Sequence, residues 1–250
     1  MTYESNAKGI DVSFWQGQND WQKIAGKVDF AFIRAGQGIY PDTKFNDNWN
    51  QSGNKLLRGA YWFYDWRTGK GTPEQQAEKF LETVVTPGEL PFVMDFENPY
   101  GGWANTPVPS KTTAFNYIQK FRDALKVERM IVYTNPAMLK LWTPLPYWLM
   151  QDYELWVANY PYASGTTRQV KTHEEIPDGW QPSTYGWKWK FWQYTSKLPG
   201  FDYGVGSGDL DGDLFNGTKA ELLEYAGIVP PVVPDSEKLK RLWEAHPELH

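Results

Sequence analysis

Short apolar, β-branched and aromatic runs recur along this chain, separated by segments of helical period, and that alternation restricts the fold more than any other feature. Strand-like runs occupy residues 9–15, 30–35, 58–64, 91–97, 130–134, 155–160, 188–194 and, more weakly, 208–215. Between them lie helical signals. Trp21 and Ile24 fit a short turn, and Phe45 and Trp49 fit one helix face. Thr72, Pro73 and Gln75 form an N-cap, a first-turn proline and a capping box, with Ala77, Phe80, Leu81 and Val84 following on one side. Residues 110–125 place Phe115, Ile118, Phe121 and Leu125 inward, and a proline-interrupted helical stretch spans 135–149. Strands that are apolar on both faces and alternate with helices predict a parallel sheet covered on both sides. Eight such strands predict an α/β fold of the (β/α) TIM-type barrel class, whose usual size is about 250 residues. Residues 161–187 lack a helical period, so the barrel is expected to be irregular, with helices missing in the last third. A doubly wound open sheet is the competitor, but no Gly-rich phosphate turn follows the first strand.

Residues 219–227 read as a closing helix with Leu222, Leu223 and Ala226 apolar and Gly227 at its end. The expected organisation is therefore a barrel over residues 1–227, a proline-rich linker over 228–235 and a short helical tail over 236–250. Among 250 residues there is no cysteine, which excludes disulfides, thiolate metal sites and cysteine nucleophiles. The three histidines are His173, His246 and His250, too few and too badly placed for a His-based triad or multi-His centre. A net charge of −5 gives no nucleic-acid footprint, so a polyanionic substrate has to be met by local charge. No apolar run approaches the roughly 18 residues of a membrane span. Residues 1–8 lack the basic start and apolar run of a secretory signal.

The sharpest chemical feature is Asp95 and Glu97. Two residues apart at the end of a buried strand, they point to one face with Cα atoms about 6.5–7 Å apart. In a barrel, that end of the strands carries the active site. Two neighbouring carboxyls raise each other's proton affinity, and apolar neighbours such as Met94 and Phe96 are expected to add desolvation. One of the pair is then protonated near neutrality, as a general acid requires. Alone, an Asp-x-Glu is ordinary and is explained as well by a basic partner at the barrel mouth. Asp11, however, sits inside an apolar strand, and Asp211 falls at the end of the last one. The first and last strands of a closed barrel are neighbours, so four acids are expected to converge. Like charges gathered this way cost stability unless they are used. The run from Asp209 through Asp211 to Asp213 fails the calcium-loop template, with Leu214 at the sixth position and Ala220 at the twelfth. Neither a metal ion nor a cofactor is expected.

The aromatic content, 14 Trp, 15 Tyr and 13 Phe, exceeds what a core needs, so some rings are expected to line a groove. Candidates lie in the strings 61–64 and 187–192. Tyr61, Tyr133, Trp156 and Gln193 are taken as substrate-binding positions. Arg34 reads as a counter-ion to the acids, and His173 as a solvated loop residue.

In order along the chain come Gly9-Ile-Asp-Val-Ser13, Gly59-Ala-Tyr61 followed by Phe63, Phe92-Val-Met-Asp-Phe-Glu97, Leu155-Trp-Val-Ala-Asn-Tyr160, Trp192-Gln-Tyr194 and Asp211-Gly-Asp-Leu-Phe215. Over residues 8–225 this set resembles the family 25 glycoside hydrolases, muramidases of the Chalaropsis type. The resemblance implies an irregular barrel that cleaves the β-1,4 bond between N-acetylmuramic acid and N-acetylglucosamine in bacterial peptidoglycan. It implies Glu97 as general acid with Asp95 beside it, Asp11 and Asp211 as supporting acids, and Tyr61 and Tyr133 near the sugar. Two departures stand out. Trp62 occupies a position where many relatives carry His, and is expected to alter a groove contact. Asp213 stands where Asn is usual and adds negative charge. Carboxyl spacing alone falls between the ranges for a covalent nucleophile and for inversion. A substrate-assisted, retaining route, in which the 2-acetamido oxygen attacks, is the expected mechanism. A chitinase-like glycosidase and a non-catalytic wall-binding barrel are the alternatives, although a dead relative should have lost one of the acids. The protein is expected to act as a monomer, without membrane insertion or nucleic acid. Without a signal peptide, it is expected to wait in a host cytoplasm until released onto the wall, in the manner of a phage endolysin.

Overall fold

The computed structural model describes residues 2–98 and 106–228. In chain order the elements are β1 (Asn6–Val12), α1 (Trp21–Ala25), β2 (Phe30–Gln37), β3 (Tyr40–Pro41), α2 (Phe45–Ser52), β4 (Leu57–Phe63), α3 (Pro73–Thr83), β5 (Val93–Asp95) and α4 (Lys111–Leu125). There follow β6 (Ile131–Thr134), α5 (Pro136–Trp142), α6 (Tyr147–Asp152), β7 (Glu154–Ala158), β8 (Trp189–Pro199), α7 (Gly200–Tyr203), β9 (Asp209–Thr218) and α8 (Lys219–Tyr225). β1 pairs with both β2 and β9, which closes the sheet, while β3 is a two-residue hairpin strand outside the ring. The result is an eight-stranded α/β barrel.

Adjacent strands from β1 round to β8 are parallel, as the alternation predicts. β9 departs from this, running antiparallel to both β8 and β1. The connection from β8 to β9 holds only the one-turn α7, too little chain for a parallel crossover, so the strand returns as a hairpin. The expected gap in helices is present: between β7 and β8 the only helical element is a single 3-10 turn, His173–Glu175. The first strand ends earlier than its apolar run, because Ser13 caps a 3-10 turn, Phe14–Gln16, that carries Phe14 and Trp15 out of the sheet.

Alternation sorts the side chains into two layers. Inward, Phe30, Phe32, Val93, Ile131, Phe191 and Phe215 fill the barrel, with Tyr61, Tyr133 and Trp156 above them. Outward, Ile10, Ile33, Trp62, Met94, Val132 and Val157 meet the helices. The filling depends on two glycines. A Cβ on Gly9 would lie 2.3 Å from the Phe30 ring, and one on Gly59 would lie 2.4 Å from Phe32.

α3 starts as its capping box predicts, with Thr72 and Gln75 exchanging hydrogen bonds. Ala77, Phe80 and Val84 are buried, but Leu81 lies on the solvent side. α4 buries Phe115, Ile118, Phe121 and Leu125, packing along α3 and against Trp142 and Trp148. The predicted linker (228–235) and tail (236–250) lie, beyond Ile228, outside the described residues.

Candidate active site

Followed toward the C-terminal ends of the parallel strands, the inward stripes of most strands change from apolar to polar at about the same level. Gly9 gives way to Asp11, Phe32 to Arg34, Val93 to Asp95, Ile131 to Tyr133 and Phe191 to Gln193. β9 runs the other way, so Asp211 comes first at the mouth and Asp213 lies deeper. Asp11 is the direct Cα partner of Asp211, and Gly9 that of Asp213. Together with Glu97, just past the end of β5, these side chains surround a cavity of about 250 Å³. Asp11, Asp95, Glu97, Asp211, Tyr61, Tyr133, Trp156 and Gln193 all line it. All eight positions singled out from the sequence thus meet in one place.

Gln193 is the hub of the polar network. Its Oε1 accepts from Tyr133 Oη (2.9 Å) and Tyr160 Oη (2.5 Å), and its Nε2 donates to Asp11 Oδ2 (2.6 Å). Trp156 stacks on Phe32, with ring centroids 4.4 Å apart, and its Nε1 donates to Asp213 Oδ1 at 2.8 Å. Asp213 is fully buried, its Oδ2 accepts no hydrogen bond from the described residues, and burial, then Asp211, raises its carboxyl well above the usual range. Asn135 caps α5 through its Oδ1 and donates from Nδ2 to Glu97 Oε2 at 3.4 Å. One oxygen of Asp95, Oδ1, is buried and accepts no hydrogen bond from the described residues.

Burial dominates the protonation of every acid here. It pushes Glu97 up to about 7, against a smaller lowering by Asn135. Asp95 is raised well above the usual carboxylate range by burial, then by Glu97 and Asp11, and Arg34 opposes this. Asp11 is raised by burial and by Asp213, and Asp211 by burial and by Asp11. Met94 and Phe96 do not supply this desolvation, since both point outward into the helix layer. The wall that excludes water is Tyr61, Phe63, Tyr133 and Trp156.

Several expectations need correction. Trp62 touches no groove: it is fully buried, packs on Phe80 and donates to Gly38 O at 3.1 Å. Trp187, Trp189 and Trp192 are buried in the outer layer. Arg34 lines the cavity, but its Nε is held by Asp42 at 2.8 Å, so it is only partly a counter-ion to the acids. His173 is no solvated residue; its side chain is 13% exposed and contacts Glu174. Tyr160, Asn135 and Trp15 join the site without having been singled out for it. Tyr160 and Asn135 follow strand ends, where periodicity no longer reports direction. Trp15, 71% exposed, carried a signal that was available: a large aromatic just beyond an acid-bearing strand.

A (β/α) barrel with paired acids at the end of one strand, further acids opposite them and aromatic walls defines a glycoside hydrolase. The family model of the glycosyl hydrolases family 25 matches residues 10–201, and the chain belongs to that family. Lysozyme M1 of Streptomyces globisporus is 31% identical over 234 residues, covering 89% of this chain and 72% of that protein. Among solved structures, a bacterial lysozyme from Streptomyces coelicolor superposes with a TM-score of 0.68 at 28% identity, covering 90% of this chain and all of that one. A family 25 glycosyl hydrolase from Bacillus anthracis gives 0.67 at 25% identity, covering 90% and 96%.

Proposed function

We propose that this glycoside hydrolase is an N-acetylmuramidase working by a retaining, substrate-assisted route, with Glu97 as acid and then base. Peptidoglycan as the substrate class follows from the family and its lysozyme members. The route is supported by one observation: Glu97 and Asp95 share the cavity, the first poised near neutrality and the second with a buried, unpartnered oxygen. Glu97 gives its proton to the glycosidic oxygen as the bond to C1 of muramic acid breaks. Asp95 accepts the N–H of the 2-acetamido group, whose carbonyl oxygen closes on C1 to form a cyclic oxazolinium. Glu97, now a carboxylate, takes a proton from water as that water opens the ring, and the anomer is retained. Asp11 and Asp211 favour the positive charge that develops on the sugar. Tyr61, Tyr133, Trp156 and Gln193 position the ring.

The catalytic unit in this reading is residues 1–227, acting as a monomer on bacterial walls in an endolysin-like deployment. Mass spectrometry of products from purified walls is expected to show muramic acid at the new reducing ends. NMR of a defined oligomer is expected to show the β-anomer first. Reducing N-acetylglucosamine overturns the muramidase reading, and an inverted anomer overturns the route. Faster cleavage of chitin oligomers than of walls favours the chitinase-like alternative. Wall binding without product, unchanged in Glu97→Gln, identifies a binding module.

A further inference from the structure

Beside the catalytic cavity lies a second pocket, of about 400 Å³, that the mechanism leaves unused. Arg34 lines both, so the two share a wall. An aromatic ridge joins them: Trp15 faces the catalytic cavity, Phe14 faces the second pocket, and their ring centroids are 4.4 Å apart. The guanidinium of Arg34 sits 4.8 Å from the Phe14 ring.

The two chambers differ in charge. Five acids, Asp11, Asp95, Glu97, Asp211 and the deeper Asp213, gather at the catalytic cavity, where Arg34 is the one cation among the described lining residues. In the second pocket the carboxylates are neutralised. Asp42 binds Arg34 at 2.8 Å, and Asp65 binds Arg67 at 2.5 Å. Lys70 is the surplus. Its ammonium lies 4.9 Å from the ring of exposed Tyr40, and no carboxylate of the described residues forms an ion pair with it.

Muramic acid in peptidoglycan carries a short peptide on its lactyl group, and that stem bears free carboxylates. The acid ring offers such groups no cation but Arg34, which Asp42 already holds, while the sugar they hang from has to enter it. A substrate with anionic branches therefore needs positive charge next to the catalytic cavity and outside it. On a chain of net charge −5, that charge has to be local. We propose that this pocket, built from the β2–β3 hairpin and the loop between β4 and α3, receives the carboxylate-bearing peptide stem. Lys70 meets a carboxylate, and Tyr40 and Phe14 cover the stem's apolar atoms. This inference rests on the muramidase reading and deepens it.

The test uses glycan strands freed of phosphate polymers in two forms: stems intact, and stems removed by an amidase. Wild type is compared with Lys70→Met and Lys70→Glu, each checked for an unchanged melting temperature. On stem-bearing strands KM is expected to rise about threefold for Lys70→Met and about tenfold for Lys70→Glu, with kcat unchanged. On stripped strands neither variant should differ from wild type, and added salt should erase the difference on the intact ones. Equal effects on both substrates, or none on either, overturn the stem assignment. An effect that appears only on walls still carrying phosphate polymers also overturns it, in favour of a phosphate ligand. Failure of wild type to cut either substrate overturns the muramidase reading itself, a result distinct from all of these.

Discussion

Asp11 and Asp211 stand directly opposite each other across the antiparallel β1–β9 ladder, both turned toward the cavity that holds Asp95 and Glu97. Like charges in directly opposed positions destabilise a sheet. A one-residue slip of either strand would turn its aspartate to the outer face, so the register places the pair here at a cost.

That cost makes function and stability separable. Asp11→Asn and Asp211→Asn are each expected to lower kcat on soluble glycan by roughly 10²-fold. Each should also stabilise the fold at neutral pH by on the order of 1 kcal/mol, through relief of the carboxyl's burial and then of the repulsion. The double variant should lose little more activity than either single one, because the two act on one charge. Steady-state kinetics and urea unfolding check this. Loss of both stability and activity would assign the pair a structural role.

The protonation of Glu97 sets the alkaline limb of the rate profile. With its carboxyl at about 7, kcat/KM should fall as pH rises through that value. Asn135→Asp keeps the cap on α5 but replaces the donor to Glu97 with a negative charge. It should move the limb to higher pH. A limb unchanged in that variant would mean that another group titrates.

Asp213 should leave its mark on stability. Burial raises its folded-state affinity for a proton, so its contribution is fully present below the unfolded value near 4. That contribution is lost as pH rises through the higher folded value. Asp213→Asn keeps the acceptor for Trp156 Nε1 and removes the titrating carboxyl. Its melting temperature should equal wild type near pH 4 and exceed it by a widening margin toward pH 8. Calorimetry across that range is the check, and a constant difference would deny the linkage.

Gln193 holds three polar groups at once. Gln193→Leu leaves Tyr133, Tyr160 and Asp11 without their partner, and is expected to cost about 2–4 kcal/mol by denaturant unfolding. Gln193→Glu keeps the two tyrosine bonds while repelling Asp11. It should therefore lose less stability and more activity.

Strand parity made most of this site legible from the sequence. Asp11, Tyr61, Asp95, Tyr133 and Gln193 each lie two residues beyond an inward apolar residue or glycine of their own strand, whereas Trp156 follows Glu154. The same rule places Trp62 outward, next to inward Tyr61, and Trp192 outward, next to inward Phe191; the expectation for Trp62 came from the comparison with relatives and that for the 187–192 string from aromatic content, and neither applied parity. What parity does not carry is direction, because a period of two reads alike both ways. The reversal of β9 was invisible for that reason. Arg34's true partner, Asp42, and the contributions of Asn135 and Tyr160 come from connecting segments, where no period exists to orient a side chain.

The reversed last strand has one more consequence. Every other stave hands the chain on at the cavity rim, whereas β9 receives it there from the β8 hairpin. On that side the rim is therefore a ribbon of paired backbone, from Leu198 and Pro199 across to Leu210 and Asp209. Lengthening or shortening this ribbon would reshape the groove wall above the site. The ladder below it would still hold Asp211 in place, so substrate preference can drift at the rim without disturbing the acids beneath.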